Sequence, residues 1–453
     1  MCNLIQKYNV PGPRYTSYPT VPYWNTEDFS GRKWEETLRC SFNESNKSEG
    51  ISLYIHLPFC ESLCTFCGCH KRITKRHDME IPYIDAVLKE WKLYRALLTE
   101  RPKIKELHLG GGTPTFFSPE NLRLLINGIF ENADRDFDHE FSFEGHPNNT
   151  TKEHLQALFE VGFRRVSFGV QDYNEIVQKA IHRIQPFENV RNVTNWARAM
   201  GYTSIGHDLI FGLPHQTLAH VKETIQKTKE LMPDRLAFYS YAHVPWLKGN
   251  GQRGYKDVDL PTGEEKRKQY EKGKQLLAEA GYHEIGMDHF ALPSDSLYQS
   301  MESGKLHRNF MGYTASKTQL MVGLGVSSIS DSWYGFAQNV KSLEEYQHLV
   351  TQKIFPIYRG HILTGEDQII RKHILNLMCR FETSWDPANE HILGFGEILE
   401  KLEEMQLDGF VEISHDEIRV TAAGRPFIRN VCMAFDVLLH QKTPGTRLFS
   451  MTV

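Results

Sequence analysis

The sequence of 453 residues has neither a long apolar run nor an excess of charge of one sign. No stretch approaches the roughly 18 consecutive apolar residues that a membrane-spanning helix requires. The segment Met1–Lys7 has no apolar core of the kind found in secretory signal peptides. A net charge of −4 gives no indication of a nucleic-acid-binding surface or of an anionic membrane as a partner. We therefore expect a cytoplasmic protein that binds neither nucleic acid nor membrane.

Several catalytic signatures and biased segments are missing as well. The sequence has no His-Glu-x-x-His zinc motif and no arrangement that indicates a catalytic triad. It also has no strong internal repeat and no low-complexity stretch. With 40% hydrophobic and 24% charged residues, the composition is that of an ordinary globular protein, and the length allows a large core with one accessory domain.

The cysteines are concentrated in one place. Half of the eight fall within ten residues, directly after an apolar run, at Cys60, Cys64, Cys67 and Cys69. The others are scattered singly, at Cys2, Cys40, Cys379 and Cys432. Four thiols so close together leave no room for two ordinary disulfides, but they can converge on one soft metal centre. Such a pattern is typical of a compartment that keeps thiols reduced.

Zinc and an iron–sulfur cluster compete for these thiols. Structural zinc usually takes two Cys-x-x-Cys pairs from separate segments, and the sequence has no second pair. A cubane cluster can be held by three closely spaced thiolates, with one iron left open. The triplet Cys60-x3-Cys64-x2-Cys67 therefore favours a cluster. Cys69 is either a fourth ligand or a free thiol beside the cluster.

The loop from Tyr54 to Cys69, Tyr-Ile-His-Leu-Pro-Phe-Cys-x3-Cys-x-Phe-Cys-Gly-Cys, resembles the cluster loop of radical S-adenosylmethionine (SAM) enzymes. Within them it is similar to that of the oxygen-independent coproporphyrinogen III oxidases. The resemblance runs from near the N-terminus to about residue 440. Its other segments are Gly12–Thr20, His108–Thr115, Gly169–Asp172, Tyr241–His243, Gly286–Ala291, Leu306–Thr314 and Ala337–Asn339.

Short β-rich runs alternate with helix-like segments, which predicts βα units around a parallel sheet. The predicted strands are Ser52–Leu57, Glu106–Leu109, Glu140–Glu144, Arg165–Val170, Ser204–Phe211 and Arg235–Tyr241. Six units are too few for a closed eight-fold barrel, and the resemblance implies an α/β fold of the radical SAM type, an open (β/α)6 partial barrel.

Four segments are expected along the chain. Residues 1–45, rich in Tyr and Pro, are predicted to form an extended N-terminal arm, and 46–290 the partial barrel. Residues 291–360 are expected to connect the barrel to the next domain and to contribute to the substrate and SAM sites. In 361–453, helical patterns surround a β-hairpin, which predicts a mostly helical, winged-helix-like domain that caps the barrel.

The resemblance implies a [4Fe–4S] cluster on Cys60, Cys64 and Cys67, and the use of two SAM molecules. The positions that contact SAM in the family are Tyr54, Phe66, Gly111, Gly112, Thr113, Glu144, Gln171, Arg183, Asp208, Ala242 and Ile329. The glycines are expected to let the backbone approach the methionine end of SAM. After Glu144 the family usually continues Val-Asp-Pro, whereas this chain has Gly145-His146-Pro147.

The implied reaction converts two propionates of coproporphyrinogen III to vinyl groups, starting with hydrogen abstraction by a deoxyadenosyl radical. Catalytic roles are implied for Tyr54, Glu144 and Cys69. Arg14 and Arg308 lie in family-like segments, and we expect their guanidinium groups to bind propionates.

Further partners are implied by the same resemblance: a tetrapyrrole substrate and an electron donor such as flavodoxin or ferredoxin, for a protein expected to be a monomer. The alternatives are a haem-binding chaperone, a radical SAM methyltransferase acting on haem, and a zinc-stabilised structural protein. Related chaperones usually have an aromatic residue at the position of Cys69 and lack the arm Arg14–Thr20, so both features favour the oxidase.

Overall fold

The computed structural model describes residues 2–245, 251–252, 254–386, 394–441 and 449–452. Within these ranges the strands are β1 Ile51–Leu57, β2 Phe59–Cys60, β3 Arg72–Ile73, β4 Lys103–Gly111, β5 Asp134–Gly145, β6 Arg165–Gln171, β7 Ser204–Phe211, β8 Arg235–Ser240, β9 His283–Gly286, β10 His289–Ala291, β11 His307–Asn309, β12 Gly312–Thr314, β13 Met321–Leu324, β14 Ile329–Asp331, β15 Gly335–Asn339, β16 Ile357–Ile362, β17 Glu382–Ser384, β18 Val411–Ile413 and β19 Glu417–Val420.

The α-helices of the same ranges are α1 Cys2–Tyr8, α2 Gly31–Ser45, α3 Glu80–Leu97, α4 Pro119–Phe130, α5 Lys152–Glu160, α6 Glu175–Ala180, α7 Phe187–Met200, α8 Leu218–Leu231, α9 Gly263–Glu279, α10 Ser296–Glu302, α11 Leu343–Thr351, α12 Gly365–Arg380, α13 Phe395–Leu407, α14 Ile428–Phe435 and α15 Val437–Gln441. None of these helices is long and apolar enough to cross a lipid bilayer.

A twelve-stranded sheet lies at the centre, in the order β16-β15-β14-β13-β1-β4-β5-β6-β7-β8-β10-β9. The pairs from β13 to β8 are parallel, and the flanking pairs are antiparallel. All six predicted strands are present, each followed by at least one helix. The predicted α/β class and its six βα units are therefore confirmed.

The strands that form the outer half of this sheet were not predicted from the sequence. The six outer strands, β9, β10 and β13–β16, contain only three to six residues each. Runs of that length carry too little periodicity to be recognised as strands. The strand β13 pairs directly with β1, with Tyr54 opposite Gly323. Residues 291–360 therefore extend the barrel sheet as well as connecting it to the next domain.

The apolar run before the cysteines forms β1, which is buried on both sides, as expected for a parallel strand. Leu53, Ile55 and Leu57 are fully buried and pack with the helices. Tyr54 and His56 point to the opposite face, because successive side chains of a strand alternate. This alternation directs two polar rings into the barrel from a strand that is otherwise apolar.

The prediction of an extended arm over residues 1–45 is wrong at both of its ends, which are helical, the first of them as α1, Cys2–Tyr8. Residues Gly31–Ser45 form the helix α2, which begins with Ser30 accepting a hydrogen bond from the N–H of Lys33. Trp34, Leu38 and Phe42, spaced four apart, are buried against the sheet. This spacing is the signal of an amphipathic helix, and the sequence analysis overlooked it.

The C-terminal region is mostly helical, as predicted. Its hairpin, β18 and β19, is present, and β17 adds a third antiparallel strand that was not predicted. The helical pattern that follows the hairpin forms two helices, α14 and α15, separated at Asp436. The boundaries assigned to the four segments of the chain stay predictions.

Candidate active site

A cavity of about 510 Å³ lies at the carboxyl ends of β1 and β4–β8. Parallel βα folds gather their reactive groups at this end, because the loops there can vary without disturbing the core. Twelve of the predicted site residues line the cavity: Cys60, Cys64, Phe66, Cys67, Cys69, Gly111, Gly112, Thr113, Glu144, Gln171, Arg183 and Asp208. The others, Tyr54, Ala242, Ile329, Arg14 and Arg308, lie outside its lining.

The four clustered thiols open into this cavity at different points. The Sγ of Cys60 is 3.3 Å from Thr113 Oγ1, and the Sγ of Cys64 accepts a hydrogen bond from Arg183 Nη1 at 3.6 Å. In the part of the chain that the structure describes, no three His, Cys, Asp or Glu side chains converge as they would around a single metal ion. A cubane binds each thiolate at a different iron, so thiols that open into one cavity at different points can hold a cluster.

The protonation of the thiols differs within the loop. Burial is the main cause that raises the pKa of the Cys60 thiol, to about 11, against the opposing hydrogen bond of Thr113. The hydrogen bond between Cys67 and Cys69 lowers the pKa of Cys67 and raises that of Cys69. Lys71 also favours the thiolate of Cys67, and its Nζ donates to the carbonyls of Cys67 and Cys69 at 3.2 Å.

The glycine turn after β4 packs against the cysteine loop. Gly112 donates its N–H to the carbonyl of Leu57, and a Cβ there would lie 2.6 Å from the backbone of Pro58. Gly111 has φ of +112°, and a Cβ there would meet the ring of His56 at 2.6 Å. Contacts within the protein therefore already require both glycines. The expected close approach of SAM to this turn stays a prediction.

Glu144 ends β5 with its carboxylate in the cavity. Its Oε2 accepts from the N–H of Gly111 at 3.3 Å, and its Oε1 lies 3.6 Å from His108 Nε2. Burial raises the pKa of Glu144, but His108 and the Gly111 N–H outweigh it, so the net pKa is lower than usual. Glu144 is therefore a carboxylate able to accept hydrogen bonds from a cationic or hydroxyl-bearing ligand.

Tyr54 lies one layer beneath the cavity. Its ring stacks on His108 with centroids 6.0 Å apart, and its hydroxyl is 3.0 Å from His56 Nδ1. His56 and His108 thus link Tyr54 to Glu144, although the sequence analysis assigned neither a role. Their positions in Tyr-Ile-His and His-Leu-Gly-Gly-Gly, at the ends of β1 and β4, were the available signal.

Asp208 and Arg183 place opposite charges on the far wall. Burial, and then the charge of Glu144, raise the pKa of Asp208 to about 7, against a hydrogen bond from Ser167 at 3.0 Å. Arg183 Nη2 donates to the carbonyl of Gly169 at 2.6 Å, whereas its Nε is buried with no partner in the described residues. A guanidinium with an unsatisfied donor is suited to an anionic ligand group. The wall thus fits a zwitterionic ligand such as SAM.

A smaller cavity of about 120 Å³ continues into the barrel. It shares Glu144, Asp208 and Tyr239 with the main cavity. Its inner wall carries polar side chains, among them Arg235 and His289. The Nδ1 of His289 is buried without a hydrogen-bond partner in the described residues, and burial lowers the pKa of this ring to about 3.

The two predicted substrate arginines lie at the N-terminal arm, not in the cavity lining. Arg14 forms an ion pair with Asp288, keeps 36% of its side chain exposed, and lies 5.9 Å from the ring centroid of Tyr239. Arg308 is only 4% exposed, and it donates to the carbonyls of Arg14 and Tyr15 at 3.1 and 3.3 Å. Arg308 therefore holds the backbone that carries Arg14.

A third arginine fixes the same arm to the C-terminal region. Arg429, 6% exposed, donates to the carbonyls of Gly12, Pro13 and Met451. No role was predicted for this residue, since its partners are backbone atoms and those in the arm are more than 400 positions away. We call Arg14, Asp288, Arg308 and Arg429 the arm clamp.

Ala242 and Ile329 lie on two sides of the barrel, away from the main cavity. The carbonyl of Ala242 accepts from Gln252 Nε2 at 3.0 Å, and the same nitrogen donates to the carbonyl of Phe66 at 3.2 Å. Ile329 begins β14, where its backbone lies against Gly323, so closely that a Cβ on this glycine would be 2.4 Å from the Ile329 oxygen. The structure therefore does not bring these two positions to the cysteine loop directly.

Comparison with known proteins agrees with this architecture. The profile of the Radical SAM superfamily matches residues 54–228, which span the cysteine loop and most of the parallel strands. The fold and the thiol-lined cavity are those of a radical SAM protein, a class that uses SAM with a [4Fe–4S] cluster.

The whole chain has close relatives within that class. It is 40% identical over 444 residues to the oxygen-independent coproporphyrinogen III oxidase of Salmonella typhimurium, covering 97% of this chain and 95% of the relative. The corresponding protein of Helicobacter pylori is 39% identical over 460 residues, covering 99% and 98%. The solved coproporphyrinogen III oxidase of Escherichia coli, described as a radical SAM enzyme, superposes with a TM-score of 0.89 at 37% identity, covering 96% of this chain and 98% of that one. This chain belongs to the oxygen-independent coproporphyrinogen III oxidase family.

Proposed function

We propose that this chain converts coproporphyrinogen III to protoporphyrinogen IX in haem biosynthesis without oxygen, by oxidative decarboxylation of two propionates to vinyl groups. The observation that carries the proposal is the coincidence of family membership along the whole chain with one cavity. That cavity joins three cluster-type thiols, a carboxylate and a partly unsatisfied guanidinium.

Cys60, Cys64 and Cys67 would hold the [4Fe–4S] cluster, and its open iron would bind SAM. When bound, the cluster and SAM supply the hydrogen-abstracting radical; the protein binds, orients and excludes water. Glu144, with its lowered pKa, accepts hydrogen bonds from the amino or ribose groups of SAM. Arg183 supports the carboxylate end, since its guanidinium lines the cavity beside Cys64.

We also propose a binding site for a second SAM molecule. Ala242 and Ile329, which lie outside the wall of the main cavity, are the positions that we assign to it. Tyr54 contacts His56 and His108, and we assign it a positioning role beneath the wall of the main cavity. The thiol of Cys69 forms a hydrogen bond with Cys67, and we assign Cys69 to the decarboxylation step and not to cluster binding.

Arg14 is the group that we assign to a propionate of the substrate. Its side chain is partly exposed beside Tyr239, which lines both cavities, and its single carboxylate partner is Asp288. A planar guanidinium can bind a second carboxylate with paired hydrogen bonds. Arg308 contributes through Arg14 by fixing its backbone.

The electron donor would dock beside the cysteine loop. Arg72, Lys75 and Arg76 are exposed there, and Lys71 is half-buried, in a chain whose overall charge is −4. Exposed ion pairs to Asp78 and Glu344 offset part of this charge weakly. An acidic donor such as flavodoxin or ferredoxin complements this face. We place the protein in the cytoplasm as a monomer.

The test is anaerobic reconstitution with iron and sulfide, followed by chromatography of the products after SAM, reductant and coproporphyrinogen III are added. We expect protoporphyrinogen IX together with methionine and deoxyadenosine, and none of these from Cys64→Ser. SAM cleavage without a vinyl product would contradict the substrate assignment. Retention of haem without turnover would favour a haem-binding chaperone instead.

A further inference from the structure

His146 directly follows β5 and lines the main cavity, two residues after Glu144. It organises the turn that follows. Its carbonyl accepts from the N–H groups of Asn149 and Thr150, both at 2.9 Å, and its ring Nδ1 accepts from the N–H of Asn148 at 3.1 Å. The ring orientation is therefore fixed by the backbone.

The hydrogen bond from Asn148 also fixes the tautomer. A nitrogen that accepts a hydrogen bond carries no proton, so a neutral ring has its proton on Nε2. Burial, and then the charge of Arg183, lower the pKa of His146, which keeps the ring neutral at physiological pH. No group in the described ranges accepts a hydrogen bond from Nε2. The ring thus presents one unused donor at the wall of the SAM cavity.

Arg183 lines the same cavity and brings a positive charge to it. Its Nη1 donates to Cys64 Sγ at 3.6 Å, which places the guanidinium beside the cysteine loop, and its Nε is buried without a partner in the residues described. His146 and Arg183 line the same cavity, and the positive charge of Arg183 disfavours protonation of the His146 ring. A neutral N–H donor and a guanidinium that line one cavity beside the cysteine loop suit an anionic ligand group, which in SAM is the methionine carboxylate.

We propose that the Nε2–H of His146 donates a hydrogen bond to the methionine carboxylate of bound SAM, beside Arg183. This inference rests on the proposed SAM site. It assigns a ligand contact to a position where the family usually has Asp. An Asp side chain can accept the hydrogen bond from the Asn148 N–H, but as a carboxylate it cannot donate to the ligand. The turn alone therefore does not require a ring.

Two substitutions of His146 distinguish the roles of its two ring nitrogens. In His146→Asn, the side-chain oxygen takes the place of Nδ1, so the turn is kept while the donor is lost. In His146→Gln, the amide nitrogen reaches the place of Nε2, so the donor is kept while the turn acceptor is lost. Binding of S-adenosylhomocysteine, which retains the carboxylate, is measured by calorimetry on the full, reconstituted chain. Methylthioadenosine, which lacks the carboxylate, is the matched ligand.

We expect His146→Asn to raise the Kd of S-adenosylhomocysteine about tenfold, as for a lost hydrogen bond to a charged group, and to leave methylthioadenosine unchanged. His146→Gln should stay within about threefold of the wild type for both ligands. Unchanged S-adenosylhomocysteine binding by His146→Asn would overturn the proposal. So would equal weakening of both ligands, which would place the donor at the adenosine, or impairment of His146→Gln alone, which would restrict His146 to the turn. Wild-type protein that binds both ligands but forms no vinyl product would contradict the proposed reaction and leave this contact intact.

Discussion

At the thiol-lined cavity, the ligand-facing residues come from the ends of consecutive strands, whereas the arm clamp joins residues from opposite ends of the chain. Gly111, Glu144 and Asp208 each lie at or near the carboxyl end of their strand. In the arm clamp, Arg14 and Asp288 are 274 positions apart, and Arg429 and Pro13 are 416 apart. The first region is thus encoded locally, and the second exists only once the chain has folded.

The cavity and the arm clamp also differ in the chemical groups that they contain. The cavity holds groups of mixed charge that suit a zwitterionic cofactor, and its turns can be aligned with known motifs. The arm clamp holds three arginines against one carboxylate, and most of their donors are used on backbone carbonyls. We infer that the cavity supplies the cofactor chemistry and the arm clamp positions one end of the substrate.

The largest expected effect is at the cysteine loop. Cys64→Ser should abolish cluster binding, because a serine hydroxyl is a poor substitute for a thiolate at a soft metal centre. Cys69→Ser should keep a full cluster and lose decarboxylation. Iron and sulfide content after anaerobic reconstitution, with product analysis alongside, checks both variants. Cys40→Ser, at an exposed thiol on α2, is the control and should behave as wild type.

Full turnover by Cys69→Ser would remove Cys69 from the reaction. An iron content that falls equally in Cys64→Ser and Cys69→Ser would instead make Cys69 a fourth ligand, which would leave no open iron for SAM.

Within the arm clamp, substitution of Arg429 should lower the stability of the fold before it affects catalysis. Arg429→Met removes the donors to four backbone carbonyls, of which those of Gly12 and Pro13 are buried, but keeps much of the apolar stem. We expect a loss of about 3 kcal/mol in the free energy of unfolding in urea, since unsatisfied buried acceptors are costly. Arg32→Met, which breaks one exposed pair with Glu36, should cost about 0.5 kcal/mol or less. Equal losses in the two variants would show that the arm is not held by Arg429.

Arg14→Gln should affect the substrate more than the cofactor. Losing one charge-assisted contact to a propionate is worth about 2 kcal/mol, so kcat/KM for coproporphyrinogen III should fall about thirtyfold. The affinity for S-adenosylhomocysteine should be unchanged, because Arg14 lies outside the lining of the main cavity. Steady-state kinetics and calorimetry on the same preparation test the prediction. A parallel loss of both would assign Arg14 to overall folding and not to a propionate.

The remaining expected effect is a dependence of stability on pH, at Asp208. Its pKa in the folded protein is raised from 3.8 to about 7, so its contribution to stability is complete below pH about 4 and is lost as the pH rises to about 7. Asp208→Asn lacks this titration. The wild type should therefore lose stability relative to the variant by up to about 1 kcal/mol per pH unit in this range. Urea unfolding at several pH values measures the difference, and parallel curves would mean that Asp208 is ionised throughout.

The sequence predicted the cavity far better than the arm clamp, for physical reasons. The six buried strands are long enough to show their pattern, and the cysteine loop and the glycine turn are contiguous motifs. The helix α2 was missed although Trp34, Leu38 and Phe42 show a helical spacing, because the many Tyr and Pro residues before it suggested an extended chain. The role of Arg429 could not be predicted, since backbone carbonyls leave no trace in the residue types of its partners.

Some predicted residues have a different immediate role from the expected one. Gly111 and Gly112 are required by contacts with His56 and Pro58, whatever binds beside them. Arg308 binds the backbone of the arm, where a propionate contact was expected. In each case the family resemblance identified an important position, but the neighbouring residue that explains it is visible only in the structure.

The central claim is that three thiolates hold a cluster with one iron free to bind SAM. It is tested most directly by electron paramagnetic resonance of the reduced, anaerobically reconstituted protein before and after SAM is added. We predict a cluster signal that changes on addition of SAM in the wild type and in Cys69→Ser, and no cluster signal in Cys64→Ser. A fully loaded cluster whose signal is the same with and without SAM, or a protein that retains zinc in place of the cluster, would contradict the account.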